Sequence, residues 1–201
     1  MATPPRPSAA GNKVNPAEPV DVIATIKMVI SQLQHLAEQR GVDVELARTL
    51  EGVKISGTTQ ALAEALQNLI WNAMEVSPPG GLVRVAVHKR GESVVIDISD
   101  DGPGIGREHL SKIFQHGYTT KPGAKGAGLS VVERRLGELL GSITWQSPLS
   151  HGHGSRFTVT LQVVSAHTDA ATTDTASTGS GSPNPKSTAP KSTDPEATDP
   201  T

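Results

Sequence analysis

The chain has 201 residues, enough for one ordinary domain with tails, and its formal net charge of −2 does not indicate a nucleic-acid or anionic-membrane partner. It contains no cysteine, which excludes disulfides, thiol nucleophiles and cysteine-ligated metals. Residues 1–13 lack the apolar run of a secretory signal, and no apolar stretch reaches the roughly 18 residues that a spanning helix needs. We therefore expect a soluble protein of the cytoplasm.

Both ends of the chain are rich in proline and small polar residues. Residues 1–19 and 165–201 together carry ten of the fifteen prolines, and the second segment repeats the tetrapeptide PKST. Such segments cannot bury enough apolar surface to offset the entropy lost on ordering. We expect both to be disordered, with 20–164 as the one folded domain. A docking or phosphorylated tail is the alternative to a solvated spacer.

Three helices are predicted in the middle of the chain. Apolar residues recur at helical spacing over 20–40, 59–76 and 128–140. Gly41 and Gly141 directly follow the first and third stretches, at the position where a glycine commonly closes a helix.

Five strands are predicted from short alternating or apolar runs. They cover 42–46, 83–89, 94–100, 143–146 and 156–163. The irregular stretch over 101–127 is expected to include a short helix near 107–114. Antiparallel strand pairs interleaved with helices predict an α/β fold, a two-layer α/β sandwich.

Four polar side chains share one side of the second predicted helix. Glu64, Asn68, Asn72 and Glu75 lie within about 80° of one another at 100° per residue. Asparagine is a poor helix former, so two asparagines four residues apart are explained if their amide oxygens reach a ligand. Mg²⁺ prefers oxygen ligands of this kind. The alternative is the solvated polar face of an ordinary amphipathic helix.

The strand predicted over 94–100 ends in a carboxylate that glycines follow. Asp100 has the parity of the buried positions of this strand, and a buried carboxylate is costly unless it is hydrogen-bonded. Gly102 and Gly104 permit close backbone approach to a flat ligand. The carboxylate can accept a hydrogen bond from an exocyclic amine such as that of adenine. A tight turn with Asp100 as its cap is the alternative.

A glycine-rich segment with two lysines, Lys121 to Gly128, precedes the third predicted helix. Such an approach to a helix N-terminus offers free N–H groups and the positive end of the helix dipole to a phosphate. Lys121 and Lys125 could add positive charge. The segment lacks the P-loop pattern, and no GxGxxG follows a strand, which disfavours P-loop and Rossmann sites. A flexible surface loop or a lid is the alternative.

In chain order, these segments resemble a known family. The segments are Asn68-Leu-Ile-Trp-Asn-Ala-Met-Glu, Asp100-Asp-Gly-Pro-Gly-Ile, Ile113-Phe114 and Gly126-Ala-Gly-Leu. They resemble the N, G1, F and G2 boxes of the ATP-binding domain of bacterial sensor histidine kinases, over about Val20–Val163. The resemblance implies the Bergerat fold, in which helices cover one face of a mixed, mostly antiparallel sheet and ATP lies between helix and lid.

The resemblance also implies a role for each matching residue. Asn72 is expected to bind Mg²⁺ and Asp100 to bind adenine. The other expected nucleotide-binding residues are Gly102, Gly104 and Ile105 near the base, and Lys121, Lys125, Gly126, Gly128 and Leu129 near the phosphates.

Two segments depart from the pattern of the family. His116-Gly117-Tyr118 stands where many kinases have Pro-Phe-Phe, which leaves Phe114 and Tyr118 as the aromatic group. Ala124-Lys125 stands where a fuller glycine pattern is common. We expect weaker lid closure and a looser phosphate-binding turn.

Asn68 indicates slow ATP hydrolysis. Relatives that hydrolyse ATP well carry a glutamate at this position, one turn before the metal asparagine. An amide cannot take a proton from water at neutral pH. Glu64 lies one further turn away and is expected to be too distant. We therefore predict that ATP is kept for a histidine acceptor, with Asn68 as the catalytic position.

None of the seven histidines has the sequence context of a phosphoacceptor. The predicted function is that of a histidine kinase catalytic domain, either a fragment or one that acts in trans, in two-component signal transduction. Its expected partners are a histidine-containing phosphoacceptor and a response regulator, and we expect a monomer. The alternatives are a stand-alone switch similar to anti-sigma Ser/Thr kinases and a non-catalytic nucleotide-binding module.

Overall fold

The computed structural model describes residues 19–120, 126–149 and 152–164. The helices are α1 (Val22–Arg40), α2 (Thr59–Val76), α3 (Arg107–Leu110) and α4 (Gly128–Glu138). The strands are β1 (Val20–Asp21), β2 (Asp43–Arg48), β3 (Lys54–Ile55), β4 (Leu82–Arg90), β5 (Ser93–Asp100), β6 (Ser142–Gln146) and β7 (Ser155–Gln162). The segments expected to be disordered lie outside the described residues, apart from Pro19.

The main sheet has five strands in the order β2-β4-β5-β7-β6. β2 pairs in parallel with β4, and the other neighbours are antiparallel. β1 and β3 form a separate two-stranded antiparallel pair. Buried and more exposed side chains alternate along β4 and β7, as expected of a sheet with one covered face. The predicted α/β sandwich with a mixed, mostly antiparallel sheet is confirmed.

α2 is the central helix, because it packs against α1 on one side and α4 on the other. Its buried residues are Ala61, Leu62, Ala65, Leu66, Leu69, Ile70, Ala73 and Met74. Val76 is only half-buried, because it lies at the helix end beside the turn that follows β5.

The first two long helices begin and end at residues suited to those positions. The Asp21 side chain accepts a hydrogen bond from the Ala24 N–H at 2.9 Å, and Thr58 Oγ1 accepts one from the Ala61 N–H at 3.1 Å. Gly41 has a φ of 66° and closes α1 in the left-handed conformation, as predicted.

The prediction for the end of α4 is wrong in one respect. The left-handed residue is Leu140, with a φ of 52°, and the helix ends at Glu138. The Gly141 N–H donates to the Leu136 carbonyl at 2.8 Å, which completes the terminal motif. Gly141 is required for another reason: a Cβ atom there would collide with the Leu161 side chain.

In the part of the chain that is described, no helix has both the length and the apolar character needed to cross a bilayer.

Candidate functional site

A cavity of about 680 Å³ opens between α2, the turn after β5 and the start of α4. It brings together eight of the eleven predicted site residues. These are Asn68, Asn72, Asp100, Gly104, Ile105, Gly126, Gly128 and Leu129. Gly102 is buried against Val76 and is not among the residues that line the cavity. Lys121 and Lys125 lie outside the described residues.

Asp100 ends β5 with its side chain on the covered face of the sheet, and it is 4% exposed. Its Oδ1 atom accepts hydrogen bonds from the Gly102 N–H at 2.9 Å and from the Ser155 N–H at 3.2 Å. These bonds compensate for part of the hydration that the carboxylate loses on burial. They also fix the orientation of the carboxylate at one end of the cavity.

The turn after β5 is packed too closely for a side chain at Gly102. A Cβ atom on that residue would lie 2.8 Å from Val76 Cγ2 and 2.9 Å from the Val76 carbonyl oxygen. Gly104 has a φ of 82°, in the left-handed region that favours glycine. Both glycines are therefore required by the local backbone, and the turn lies against the end of α2.

The connection between β6 and β7 is hydrogen-bonded to this turn. Ser147 Oγ accepts a hydrogen bond from the Ile105 N–H at 2.6 Å, and the Gly154 N–H donates to the Gly102 carbonyl at 2.6 Å. The Ser147 and Ser155 hydroxyl oxygens are 3.0 Å apart. Ser155 is 3% exposed and also lines the cavity. Neither serine could be identified from the sequence, since neither lies in a recognised motif.

Asn68 and Asn72 meet the first residue of α4. Asn68 Nδ2 donates to the Glu64 carbonyl oxygen, one turn earlier, at 2.8 Å. A Cβ atom on Gly128 would lie 3.4 Å from Asn68 Oδ1 and 3.4 Å from Asn72 Nδ2. The four polar side chains on this side of α2, Glu64, Asn68, Asn72 and Glu75, are each half-buried.

Glu64 does not line the cavity, in keeping with the expectation that it is too distant to act there. Its carboxylate binds Arg135 of α4, with Nε and Nη2 both 2.7 Å from Oε2. The Gln60 amide and the Arg135 guanidinium together hold the pKa of the Glu64 carboxyl below its usual value. The side chain is therefore an ionised partner of α4.

Gly117 and Gly126 lie side by side before α4. The Gly117 N–H donates to the Gly126 carbonyl at 2.9 Å, and a Cβ atom on Gly126 would lie within 2.7 Å of three backbone atoms of Gly117 and Tyr118. Tyr118 Oη lies 2.6 Å from His109 Nδ1, and both residues line the cavity. Tyr118 therefore has His109 as its ring partner, whereas Phe114 has a different one.

Phe114 packs against Trp145 of β6, with ring centroids 5.0 Å apart.

Among the described side chains, no group of three or more histidine, aspartate and glutamate residues could hold a metal ion.

Residues 57–165 match the family described as histidine kinase-, DNA gyrase B-, and HSP90-like ATPase. Heme sensor protein HssS of Staphylococcus saprophyticus is 31% identical over 141 residues, which cover 69% of this chain and 30% of that protein. Sensor-like histidine kinase SenX3 of Mycobacterium tuberculosis is 29% identical over 158 residues, covering 75% of this chain and 38% of SenX3. The chain thus spans about a third of the length of these relatives.

Solved structures agree with the sequence relatives. Mycobacterial sensor histidine kinase MprB superposes with a TM-score of 0.65 at 25% identity, covering 73% of this chain and 97% of that one. Full-length ShkA in complex with AMPPNP shares the fold, with a TM-score of 0.66 at 23% identity, over 79% of this chain and 33% of ShkA. The chain therefore belongs to the histidine kinase-, DNA gyrase B-, and HSP90-like ATPase family, as an ATP-binding domain of the sensor histidine kinase type.

Proposed function

We propose that residues 20–164 form a kinase domain that binds ATP with Mg²⁺ and transfers the γ-phosphoryl group to a histidine of a partner protein. The segments 1–19 and 165–201 are proposed to lie outside this domain. The observation that carries the proposal is one cavity with two chemically different ends. A fixed carboxylate lies at one end, and amide oxygens and backbone donors lie at the other. Its volume of about 680 Å³ is in the usual range for small-molecule sites.

Asp100 is proposed to recognise the base. Its carboxylate is held by two backbone N–H groups, so it is a fixed acceptor for the exocyclic amine of adenine. Guanine presents a carbonyl oxygen at that position, which a carboxylate would repel. We expect the domain to prefer adenine nucleotides for this reason. Gly102, Gly104 and Ile105 are proposed to form the turn beneath the base.

The residues at the α4 end of the cavity fit a magnesium ion. Amide oxygens are hard ligands, and Asn68 Oδ1 and the Asn72 amide both lie close to Gly128. Asn72 is proposed as the protein ligand, with Asn68 beside it. When bound, the metal neutralises charge on the phosphate oxygens. The part played by the chain is to hold the two amides in place through α2 and α4.

The start of α4 is proposed to hold the phosphates. Gly126 and Gly128 line the cavity together with Leu129, at the helix end where backbone N–H groups lack helical partners. A helix N-terminus also carries partial positive charge. Lys121 and Lys125 are proposed to add charge from the adjoining segment.

The side chains near the two amides favour transfer to an acceptor other than water. Asn68 offers an amide, which cannot accept a proton from an attacking water. Glu64, the carboxylate one turn away, is bound to Arg135. An imidazole nitrogen of the partner would form the bond to the γ-phosphorus while the bond to the β–γ bridging oxygen breaks and ADP leaves. A response regulator is the proposed later partner of the phosphohistidine.

Asn68→Glu tests whether ATP hydrolysis is slow because this position lacks a carboxylate. Steady-state ATP hydrolysis should be slow in the unaltered protein and should rise by an order of magnitude or more in the variant, because a carboxylate can act as a base. Gln67→Glu, on the exposed side of the same helix turn, is the matched control and should not change the rate. An unchanged rate in Asn68→Glu would remove this part of the proposal.

Phosphoryl transfer is tested with γ-labelled ATP, magnesium and an isolated histidine-bearing hairpin from a sensor histidine kinase. Label on the hairpin should be lost in acid and kept in base, as expected of phosphohistidine. Acid-stable label would indicate a Ser/Thr kinase instead. Saturable binding of ATP without transfer to any of several hairpins would favour a non-catalytic module.

A further inference from the structure

Arg135 joins α4 to α2 at a distance from the cavity. Its Nε and Nη2 atoms are both 2.7 Å from Glu64 Oε2, and its Nη1 lies 3.0 and 2.9 Å from the two carboxylate oxygens of Glu138. The side chain is 23% exposed. One guanidinium thus binds a carboxylate on each of two helices, in the planar geometry that arginine favours.

Glu64 is itself held from both sides. Gln60 Nε2 donates to Glu64 Oε1 at 2.9 Å, and the Glu64 carbonyl oxygen accepts the amide of Asn68 at 2.8 Å. The carbonyl that holds the Asn68 amide belongs to the backbone of α2 and is separate from the carboxylate that binds Arg135.

α4 consequently touches the polar side of α2 at two points. Gly128 lies against the amides of Asn68 and Asn72, and Arg135 binds Glu64 seven residues further along α4, about 10 Å away. Two contacts this far apart fix both the position and the direction of one helix along another. The start of α4, which is proposed to hold the phosphates, is thereby placed relative to the two amides.

The hydrophobic core does not need this ion pair to keep α4 folded. Val132 and Leu136 are 0% and 1% exposed and anchor the helix in the core. The ion pair of Arg135 and Glu64 lies outside these apolar contacts, with side chains 23% and 32% exposed. The contact is therefore better suited to setting the position of the helix than to holding the fold together.

We propose that Arg135 is a positioning residue for the phosphate end of the nucleotide site, acting through Glu64 on the start of α4. The inference rests on the proposed function, because it assumes that phosphates bind at the start of α4. It makes a specific statement about ligands. Loss of the contact should weaken binding of the triphosphate and leave recognition of the base unchanged.

The test compares AMPPNP with adenosine, each titrated calorimetrically in the presence of magnesium. In Arg135→Met, affinity for AMPPNP should fall roughly five- to tenfold, while affinity for adenosine stays within about twofold. Arg134→Met removes the same charge from the exposed neighbouring position and should change neither affinity. Arg135→Lys should restore part of the loss, because a single ammonium can still reach the carboxylate.

Glu64→Gln breaks the same contact from the other helix and should give the same selective loss. The double variant should lose no more than Arg135→Met alone, because both changes remove one interaction. Equal loss for AMPPNP and adenosine, or no loss in either single variant, would overturn the inference while leaving the proposed function intact. If the unaltered protein binds neither ligand, the proposed function fails and this inference fails with it.

Discussion

The two ends of the cavity are built by different means. At the end where the base is proposed to bind, hydrogen bonds from backbone N–H groups join segments far apart in the chain, from Ser155 to the Asp100 carboxylate and from Gly154 to the Gly102 carbonyl. At the phosphate end, the described contacts between α2 and α4 are made by side chains, as between Glu64 and Arg135, while a backbone hydrogen bond joins Gly117 to Gly126 before α4. The base end is therefore fixed by the sheet, and the phosphate end depends on how two helices pack.

This difference predicts which ligands each variant should bind more weakly. A change at the base end should weaken all adenine ligands alike, whether or not they carry phosphates. A change at the phosphate end should act only on ligands with phosphates, and most strongly when magnesium is present. Affinities for AMPPNP, ADP and adenosine, measured with magnesium and with a chelator, distinguish the two patterns.

The largest effect is expected for Asp100→Asn. The amide that replaces the carboxylate presents an N–H donor to the exocyclic amine of adenine, so that two donors face each other. Affinity for all three ligands should fall about 30- to 100-fold, or roughly 2–3 kcal/mol. Asp101→Asn is the matched control, because Asp101 is exposed and its amide oxygen can still accept the Leu82 N–H. Loss confined to AMPPNP would contradict the division between the two ends.

The next largest effect is expected for Asn72→Ala. Removal of the proposed metal ligand should reduce AMPPNP affinity about tenfold when magnesium is present. In chelator the variant and the unaltered protein should bind AMPPNP equally well. Gln67→Ala, at an exposed position on the same helix, should behave as the unaltered protein in both buffers. A loss of the same size in chelator would show that Asn72 acts without metal.

A smaller effect is expected for Ser147→Ala, because the hydroxyl supports the turn without lining the cavity. The Ile105 N–H loses its acceptor at 2.6 Å, which costs about 1 kcal/mol. All three ligands should bind roughly fivefold more weakly, by the same factor. Ser147→Thr keeps the oxygen and should restore binding. If the loss falls on AMPPNP alone, the serine does not serve the base end.

The smallest effect on binding is expected for Leu140→Gly. Leu140 has a φ of 52° and is 85% exposed, so glycine relieves strain and removes few contacts. The free energy of unfolding should rise by about 0.5–1 kcal/mol, seen as a higher thermal midpoint. Nucleotide affinity should be unchanged, since Leu140 follows the end of α4 that lies away from the cavity. A lower midpoint would show that the left-handed leucine makes contacts that glycine cannot replace.

The sequence was sufficient for most of the fold and for much of the site. Helical and alternating spacing located the long helices and the sheet, and the parity of Asp100 in β5 correctly indicated a buried carboxylate. Asparagine is unfavourable inside a helix, and that cost pointed to a role for Asn68 and Asn72. These signals are local, and each depends on residues a few positions apart.

Contacts between distant segments were not predictable in the same way. Ser147 and Ile105 are 42 residues apart, and Glu64 and Arg135 are 71 apart, so their pairing depends on the finished sheet and on helix packing. The end of α4 was assigned to Gly141 because glycine favours a left-handed turn. Position 141 is glycine for a different reason, which is that β7 approaches it closely.

The central claim is that one cavity binds the base of ATP at Asp100 and its phosphates between α2 and α4. The most direct measurement is a calorimetric titration of the whole chain with AMPPNP and magnesium, repeated with the corresponding guanine nucleotide. The account predicts saturable binding of one AMPPNP per chain and much weaker binding of the guanine nucleotide. Absence of heat with AMPPNP at millimolar concentration, or equal affinity for the two nucleotides, would contradict it.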